Sequence, residues 1–424
     1  MPDQTTANLA AARAPLPLAD PRGSGRAARI KDLTDPWSRA LLRSLRRLQH
    51  GHLSLRTPAG ATLSFGAAGT APAVKLAIRD ARVARRLIFN GSIGFAEAYM
   101  DGAWDCPDLV GLVMLAIANE HALGLDRDGS LLIRAIERVR HALHRNSRRG
   151  SARNIAHHYD LGNEFYAAWL DPSMTYSAGL FGDGADDLET AQQRKYQAVA
   201  ELLELAPGQE VLEIGCGWGG FAEFAAAGYG SRVTALTLSQ QQRDYAARRI
   251  DRRGFSDRAA IRIQDYRDAA GAYDRIASIE MIEAVGAENW ATYFDRIRAF
   301  LKPQGIAVLQ AITIADERFE SYRRCPDFIQ RYIFPGGMLP SHAALQKAVA
   351  AAGLRLGSGP RFAASYARTL ALWQQRFQAA WPTIAALGFD RRFKRMWEYY
   401  LAYCEAGFRA GTLDVGLYRI ERQG

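Results

Sequence analysis

The sequence predicts an α/β fold: a mostly parallel, Rossmann-like sheet with helices on both faces, behind a small N-terminal α+β domain. Three observations carry this reading. From about residue 154, strand-like and helix-like stretches alternate, the order that a parallel sheet with crossover helices requires. Within that part, Val211-Leu-Glu-Ile-Gly-Cys-Gly-Trp-Gly-Gly220 is an apolar run that turns through glycines into a helix-like pattern from Ala222 to Ala227. Polar clusters also recur at the ends of the strand candidates, where open α/β sheets place their ligands.

The elements follow in order. Residues 1–28 are rich in Ala, Pro and Arg and read as a mobile tail. Residues 29–125 form the first domain. Residues 52–66 alternate on either side of Pro58-Ala-Gly60 like a hairpin, and residues 74–80 alternate like a third strand. Helical spacing then takes over across 84–99 and 108–119. Residues 126–153 read as a basic helical linker, and 154–424 as the ligand-binding domain. There a helix over 190–204 precedes the glycine turn. Strands are expected at 233–238, 260–264, 273–279 and 305–314, with a helix over 240–253. The tail from about 367 carries Trp373, Phe377, Trp381, Phe393, Trp397, Tyr399 and Tyr400 and reads as helices packed across the ligand edge.

Composition narrows the class. The chain has 424 residues, long enough for two domains. Its apolar stretches stop short of the ~18 residues of a membrane span, and its N-terminus lacks the apolar core of a secretory signal. Cys106, Cys216, Cys325 and Cys404 are far apart and form no CxxC pair. Neither a disulfide framework nor a metal site is expected, and a reducing cytoplasm is the natural setting. The 54 basic and 44 acidic residues leave +10, concentrated in 22–47 and 134–153. Such runs are most often solvated helix faces; the functional alternative is attraction to an anionic surface. No nucleic-acid motif accompanies them, so lipid is favoured over nucleic acid.

The glycine turn itself separates two cofactors. A lone GxGxxG also marks dinucleotide sites. Here, however, Glu213 stands two residues before the first glycine, and the next strand candidate, 232–239, lacks an acidic ribose clamp near its end. An acidic group at Glu213 suits the ammonium or ribose end of S-adenosylmethionine (SAM), so the reading is a class I SAM-dependent methyltransferase fold.

Several blocks together resemble a known family. They are His158-Tyr-Asp-Leu-Gly-Asn163, Met174-Thr-Tyr-Ser177, residues 211–220, Leu236-Thr-Leu-Ser-Gln240, Glu280-Met-Ile-Glu-Ala-Val-Gly286, Tyr332-Ile-Phe-Pro-Gly-Gly337 and Phe408-Arg-Ala-Gly411. In this order and spacing the chain resembles cyclopropane-fatty-acyl-phospholipid synthases and mycolic acid cyclopropane synthases over nearly all of 154–422. The first domain resembles the N-terminal lipid-binding or dimerisation domain of the long bacterial form. The resemblance implies a SAM-dependent enzyme acting on a cis double bond in an acyl chain of a membrane phospholipid. It also implies a homodimer, peripheral at the inner face of the cytoplasmic membrane. SAM would be lined by Tyr176, Ser177, Val211, Glu213, Gly215, Gly217, Gly219, Thr237, Leu238, Ser239, Gln242, Tyr266 and Arg267. Glu283, Ile312 and Tyr366 match positions that hold a bicarbonate ion, and Cys404 matches a cysteine assigned as catalytic.

The chemistry adds constraints. An alkene is a weak nucleophile, so alignment with the sulfonium methyl is the main lever. The carbocation that forms can be stabilised by aromatic faces, for which Tyr176, Trp218 and the C-terminal aromatics are candidates beside their ordinary role in packing. A base must then remove a proton from the transferred methyl; by resemblance that base is bicarbonate fixed by Glu283 and Tyr366. Two positions depart from the family, which commonly has cysteine where this chain has Ala178 and histidine where it has Gln310. Cyclopropane is the expected product, and a methyl-branched or methylene chain the alternative. Another SAM methyltransferase acting on a lipid-like small molecule, or a silent lipid-binding relative, are the competing readings. Nothing beside Cys404 would lower its pKa, so its own surroundings read as structural. His157 and His158 read as backbone-orienting groups, and Cys216 as a packing residue.

Overall fold

The computed structural model describes residues 32–124, 161–182, 184 and 186–423. The expected tail over 1–28, the linker over 126–153 and the pair His157 and His158 lie outside them.

The described chain opens with α1 (Pro36–Leu45), where Asp35 accepts the amides of Trp37 and Ser38 ahead of a proline in the first turn. The expected hairpin follows as β1 (His52–Arg56) and β2 (Thr62–Gly66), antiparallel, with β3 (Ala73–Ile78) parallel to β1. Next come α2 (Arg82–Met100), the short β4 (Trp104–Asp105), α3 (Leu109–Ala118) and α4 (Glu120–Leu123). The sheet order is β2-β1-β3-β4. β4 escaped sequence reading because two residues hold no periodicity.

After α5 (Asn163–Ala167) and α6 (Leu188–Leu202), the alternation begins with β5 (Glu210–Ile214), α7 (Gly220–Tyr229), β6 (Arg232–Thr237), α8 (Gln240–Arg252), β7 (Ala259–Ile263) and β8 (Tyr273–Ile279). It continues with α9 (Trp290–Phe300), β9 (Leu301–Ile314), α10 (Asp316–Arg324), α11 (Phe328–Tyr332), α12 (His342–Ala351) and β10 (Leu354–Leu356). The chain ends in α13 (Ala363–Ala386), α14 (Arg391–Arg409) and β11 (Leu413–Arg422). The seven-stranded order is β10-β11-β9-β8-β5-β6-β7. Strands β7 to β9 run parallel with β5 and β6, and β11 is antiparallel to both its neighbours. This is the class I SAM-dependent methyltransferase architecture. β10 and β11 were not expected: the C-terminal region reads as helical until the chain doubles back as β11, whose partner β9 is distant in sequence.

Alternation places the cores. Along β9, Ile306 and Val308 face one core while Ala307, Leu309 and Ala311 face the other. β5 likewise sends Val211 one way and Leu212 and Ile214 the other, as a sheet covered on both faces requires. Strand order reverses at β5, which lies between β8 and β6. A crevice therefore opens beyond the carboxyl end of β5. The glycine turn occupies that end.

Candidate active site

Backbone geometry explains the glycines of the turn. Gly215 has φ +84°, and a Cβ there would come within 2.7 Å of Met281 Cγ. Gly217 has φ +51°, and a Cβ there would meet no protein atom within 4 Å because it faces a cavity. Both are left-handed conformations that suit glycine. The cavity measures about 1120 Å³ with its mouth included, enough for a nucleoside with an amino-acid tail.

Most of the expected SAM residues line it. Glu213, Gly215 and Gly217 come from the end of β5; Thr237, Leu238 and Gln242 from the β6–α8 turn; Tyr266 and Arg267 from the turn after β7; and Tyr176 and Ser177 from the segment before α6. Three expected residues do a different job. Val211 is fully buried in the core, Gly219 packs where a Cβ would strike Ala246, and Ser239 caps α8 by accepting the amide of Gln242. These act on the pocket through the backbone they hold.

Charge within the cavity is prepared in advance. Glu213 is buried, its Oε2 has no hydrogen-bond partner among the described residues, and burial pushes its pKa up to about 8 against the pull of Lys195. An orphaned carboxylate oxygen on a cavity wall fits a cationic ligand group. Arg267 grips Asp265 at 2.6 Å, and the Thr237 hydroxyl donates to Gln242 Oε1 at 2.8 Å. These side chains are fixed before a ligand arrives.

Lys195 was missed by sequence reading. It lies on the core-facing stripe of α6 with Leu188, Ala191, Tyr196 and Val199, and a lysine at such a helical spacing is the signal that could have found it. It is fully buried and donates to Ser177 Oγ at 2.8 Å. Burial lowers its pKa to about 8, opposed by Glu280, Asp171 and Glu213.

The aromatic wall stands beside this. Tyr176 and Trp218 line the cavity. Ring centroids place Tyr176 5.2 Å from Trp373, 5.6 Å from Trp169 and 5.4 Å from Tyr166, which itself lies 4.9 Å from Trp218. The Tyr176 and Tyr400 hydroxyls meet at 2.7 Å. The C-terminal helices thus do cover the ligand edge.

A second carboxylate, Glu280, stands among the residues expected around bicarbonate. Tyr366 does not reach Glu283; its hydroxyl donates to Glu280 Oε2 at 2.7 Å. Glu280 Oε1 accepts the Ala178 amide at 2.8 Å and Gln310 Nε2 at 2.7 Å. The reason is register. β8 pairs Ile279 with Gln310, so the residue just after the strand meets the Gln310 side chain, whereas Glu283 lies one turn further on. There Glu283 Oε1 accepts the Ile312 amide at 2.6 Å, while its Oε2 is buried without a partner among the described residues. Burial, with the nearby Glu280 charge, pushes Glu283 up to about 8. The donors that could hold a free anion here, Tyr366, Ala178 and Gln310, are already taken by Glu280. Cys404 is half-buried, and burial together with the Asp327 charge raises its thiol well above the ordinary range. That agrees with the structural reading of this cysteine.

These shifts set a pH dependence. Glu213 and Glu283, at about 8 in the folded chain, stand above the ~4.3 of an unfolded glutamate, so the stability they contribute is full below ~4.3 and is lost as pH rises through 8. Lys195 is depressed to about 8 from an unfolded ~10.4; its contribution is full above ~10.4 and is lost as pH falls through 8. The two windows adjoin, so the ligand-free chain should melt at its lowest temperature near pH 8. Thermal melts between pH 5 and 10 check this, and a melting temperature that climbs steadily from 5 to 8 would refute it.

Comparison with known proteins bears on the same elements. A family model described as mycolic acid cyclopropane synthetase matches residues 146–417. The chain is 39% identical to the tuberculostearic acid methyltransferase of Mycobacterium tuberculosis over 91% of this chain and 92% of that one. It is 37% identical to the cyclopropane-fatty-acyl-phospholipid synthase of Escherichia coli over 83% and 88%. Among solved structures, a mycolic acid cyclopropane synthase in complex with SAH and CTAB superposes with a TM-score of 0.61 at 29% identity, covering 64% of this chain and 98% of that one.

Proposed function

The chain belongs to the mycolic acid cyclopropane synthetase family of SAM-dependent lipid methyltransferases, and from that premise we propose that it methylates the cis double bond of an unsaturated acyl chain in a membrane phospholipid, closing it to a cyclopropane. Bound SAM supplies an electrophilic methyl on sulfur. The chain supplies the rest. The glycine turn and Glu213 orient the ligand, and the cavity excludes competing water. Tyr176 and Trp218 present π faces to the cation that forms on the acyl chain.

The aromatic wall is the observation that carries this reading. A carbocation needs faces that stabilise charge without trapping it, and here Tyr176 and Trp218 line the cavity while burial holds the thiol of Cys216, the cysteine that lines it, well above its ordinary range. A second reading, a methyl-branched or methylene product, is favoured by Ala178 and Gln310, where the family commonly has cysteine and histidine, and by a relative named for methyl transfer.

Docking on lipid is consistent with the surface of the first domain. Trp37, Ile88 and Phe89 are exposed, with Trp37 edge-on to Phe89 at 4.8 Å. Arg39, Arg43, Arg46, Arg47, Arg82 and Arg85 are exposed on the same two helices or the turn after α1. Aromatic and basic groups together suit an anionic lipid surface. No helix among the described residues is long and apolar enough to cross a membrane.

Mass spectrometry of fatty acids after expression in a strain lacking the activity tests the proposal. Unsaturated acyl chains should gain one CH₂ in a SAM-dependent manner; no gain would sink the reading. Mild hydrogenation adds H₂ to an exocyclic methylene and leaves a ring intact, and fragmentation separates the ring from a saturated branch.

A further inference from the structure

Resting on the acyl-methylation reading above, we propose that the Glu280 carboxylate is the proton acceptor of the reaction and fills the cradle in which the resemblance would place a free bicarbonate. Four observations converge on it. Glu280 lines the same cavity as Glu213 and the glycine turn. Both its oxygens are held, by the Tyr366 hydroxyl on one side and by the Ala178 amide and Gln310 on the other. Its backbone sits at φ +49°, a conformation costly for a non-glycine residue and retained where surrounding structure enforces it. Its amide donates to Gln310 O at 2.8 Å, so the strand end holds the turn that aims the side chain.

Electrostatics oppose a second anion. Glu280 and Glu283 are close enough for the one charge to raise the pKa of the other, and a bicarbonate between them would add a third acid to a buried site. The donors an anion needs are taken. Charged and titratable groups facing Glu280 are Lys195, Glu283 and Tyr366. Burial raises the Glu280 pKa, while the bonds from Ala178, Tyr366 and Gln310 and the Lys195 charge hold it down. A carboxylate so placed is a stronger base than one on the surface. Alternatives in the neighbourhood fail on geometry: Glu283 and Cys404 do not line the cavity, and Gln310 donates to Glu280.

The step balances without a further reactant. Methyl transfer leaves one positive charge on the acyl chain. A C–H bond of the transferred methyl breaks, its proton passes to a Glu280 oxygen, and its electron pair forms the closing C–C bond of the ring. If a hydride has first shifted to the cationic carbon, the same electron pair forms an exocyclic double bond instead. Either product needs the same acceptor, so Glu280 serves ring closure and methylene formation alike. The proton returns to water when the product leaves.

The variant E280G separates these roles, because glycine accepts φ +49° and keeps the amide bond to Gln310. Acyl product should fall by about 100-fold or more while SAM affinity measured by calorimetry holds. Formate or bicarbonate added to E280G should restore part of the activity by entering the vacated cradle. The native protein should bind no ¹³C-bicarbonate by NMR and keep full activity in bicarbonate-stripped buffer, whereas E280G should bind it. The proposal is overturned if the native protein binds labelled bicarbonate and loses activity when it is stripped, or if E280G stays near native activity. Absence of acyl product from the native chain would count against the methylation reading instead, and labelled-bicarbonate binding then decides the occupancy of the cradle on its own.

Discussion

Glu213→Gln should weaken SAM binding by about 100-fold, about 2.7 kcal/mol, while leaving the ligand-free protein as stable as the native one or more so at pH 8.5. The two effects have opposite signs because the carboxylate is unfavourable in the empty chain. Burial pushes it up to about 8, and one oxygen finds no partner among the described residues. Glutamine keeps an oxygen for the Ala222 amide that now bonds the carboxylate and removes the charge that a ligand cation would neutralise. Lys195 still has Glu280 and Asp171 as counter-charges. Calorimetric titration with SAM and thermal melts at one pH read both quantities. A loss of stability that matched the loss of affinity would mean that Glu213 is a structural group and not a ligand contact.

Arg395→Met should cost about 3–5 kcal/mol in urea unfolding, the range for breaking a buried ion pair from one side. Arg395 sits on α14 and is 8% exposed; the Tyr99 and Trp104 carbonyls it caps are buried with it, while Asp105 keeps Arg79 as a second partner. Its guanidinium donates to the Tyr99 and Trp104 carbonyls and to Asp105 Oδ1, and lies 3.8 Å over the Tyr99 ring. These partners all belong to α2 and β4, so one side chain ties the last helix to the first sheet. Lysine should not rescue it, because a single ammonium cannot reproduce a planar fork that donates in several directions. An R395M chain that unfolds with the native midpoint would show that the packing of Tyr99, Trp104 and Tyr399 holds the junction unaided.

Much of the fold was legible because its signals are local. The hairpin around Pro58-Ala-Gly60, the strand at 273–279 and the helix over 240–252 each carry their own period or turn residues. β11 was not legible, since a strand after an aromatic helix is recognised only by its partner β9. In the site, Lys195 could have been found from its place on the apolar stripe of α6. Glu280 could not be ranked above Glu283 from the chain alone. Both stand in the same short acidic cluster, and the resemblance pointed to Glu283.

By itself the sequence determined the cofactor, because residues 211–220 are contiguous and the positive φ of Gly215, Gly217 and Gly219 belongs to one local turn. It also determined the parallel sheet and the edge on which ligands lie, since period and alternation are local properties. Only the tertiary structure decided which of Glu280 and Glu283 lines the cavity. Glu280 meets Ala178 across 102 positions, Tyr366 across 86 and Gln310 across 30. No local pattern encodes such a meeting. The register of β8 on β9 and the docking of α13 over the sheet edge bring the four residues together, and a shift of one residue in that register would turn Gln310 to the opposite face.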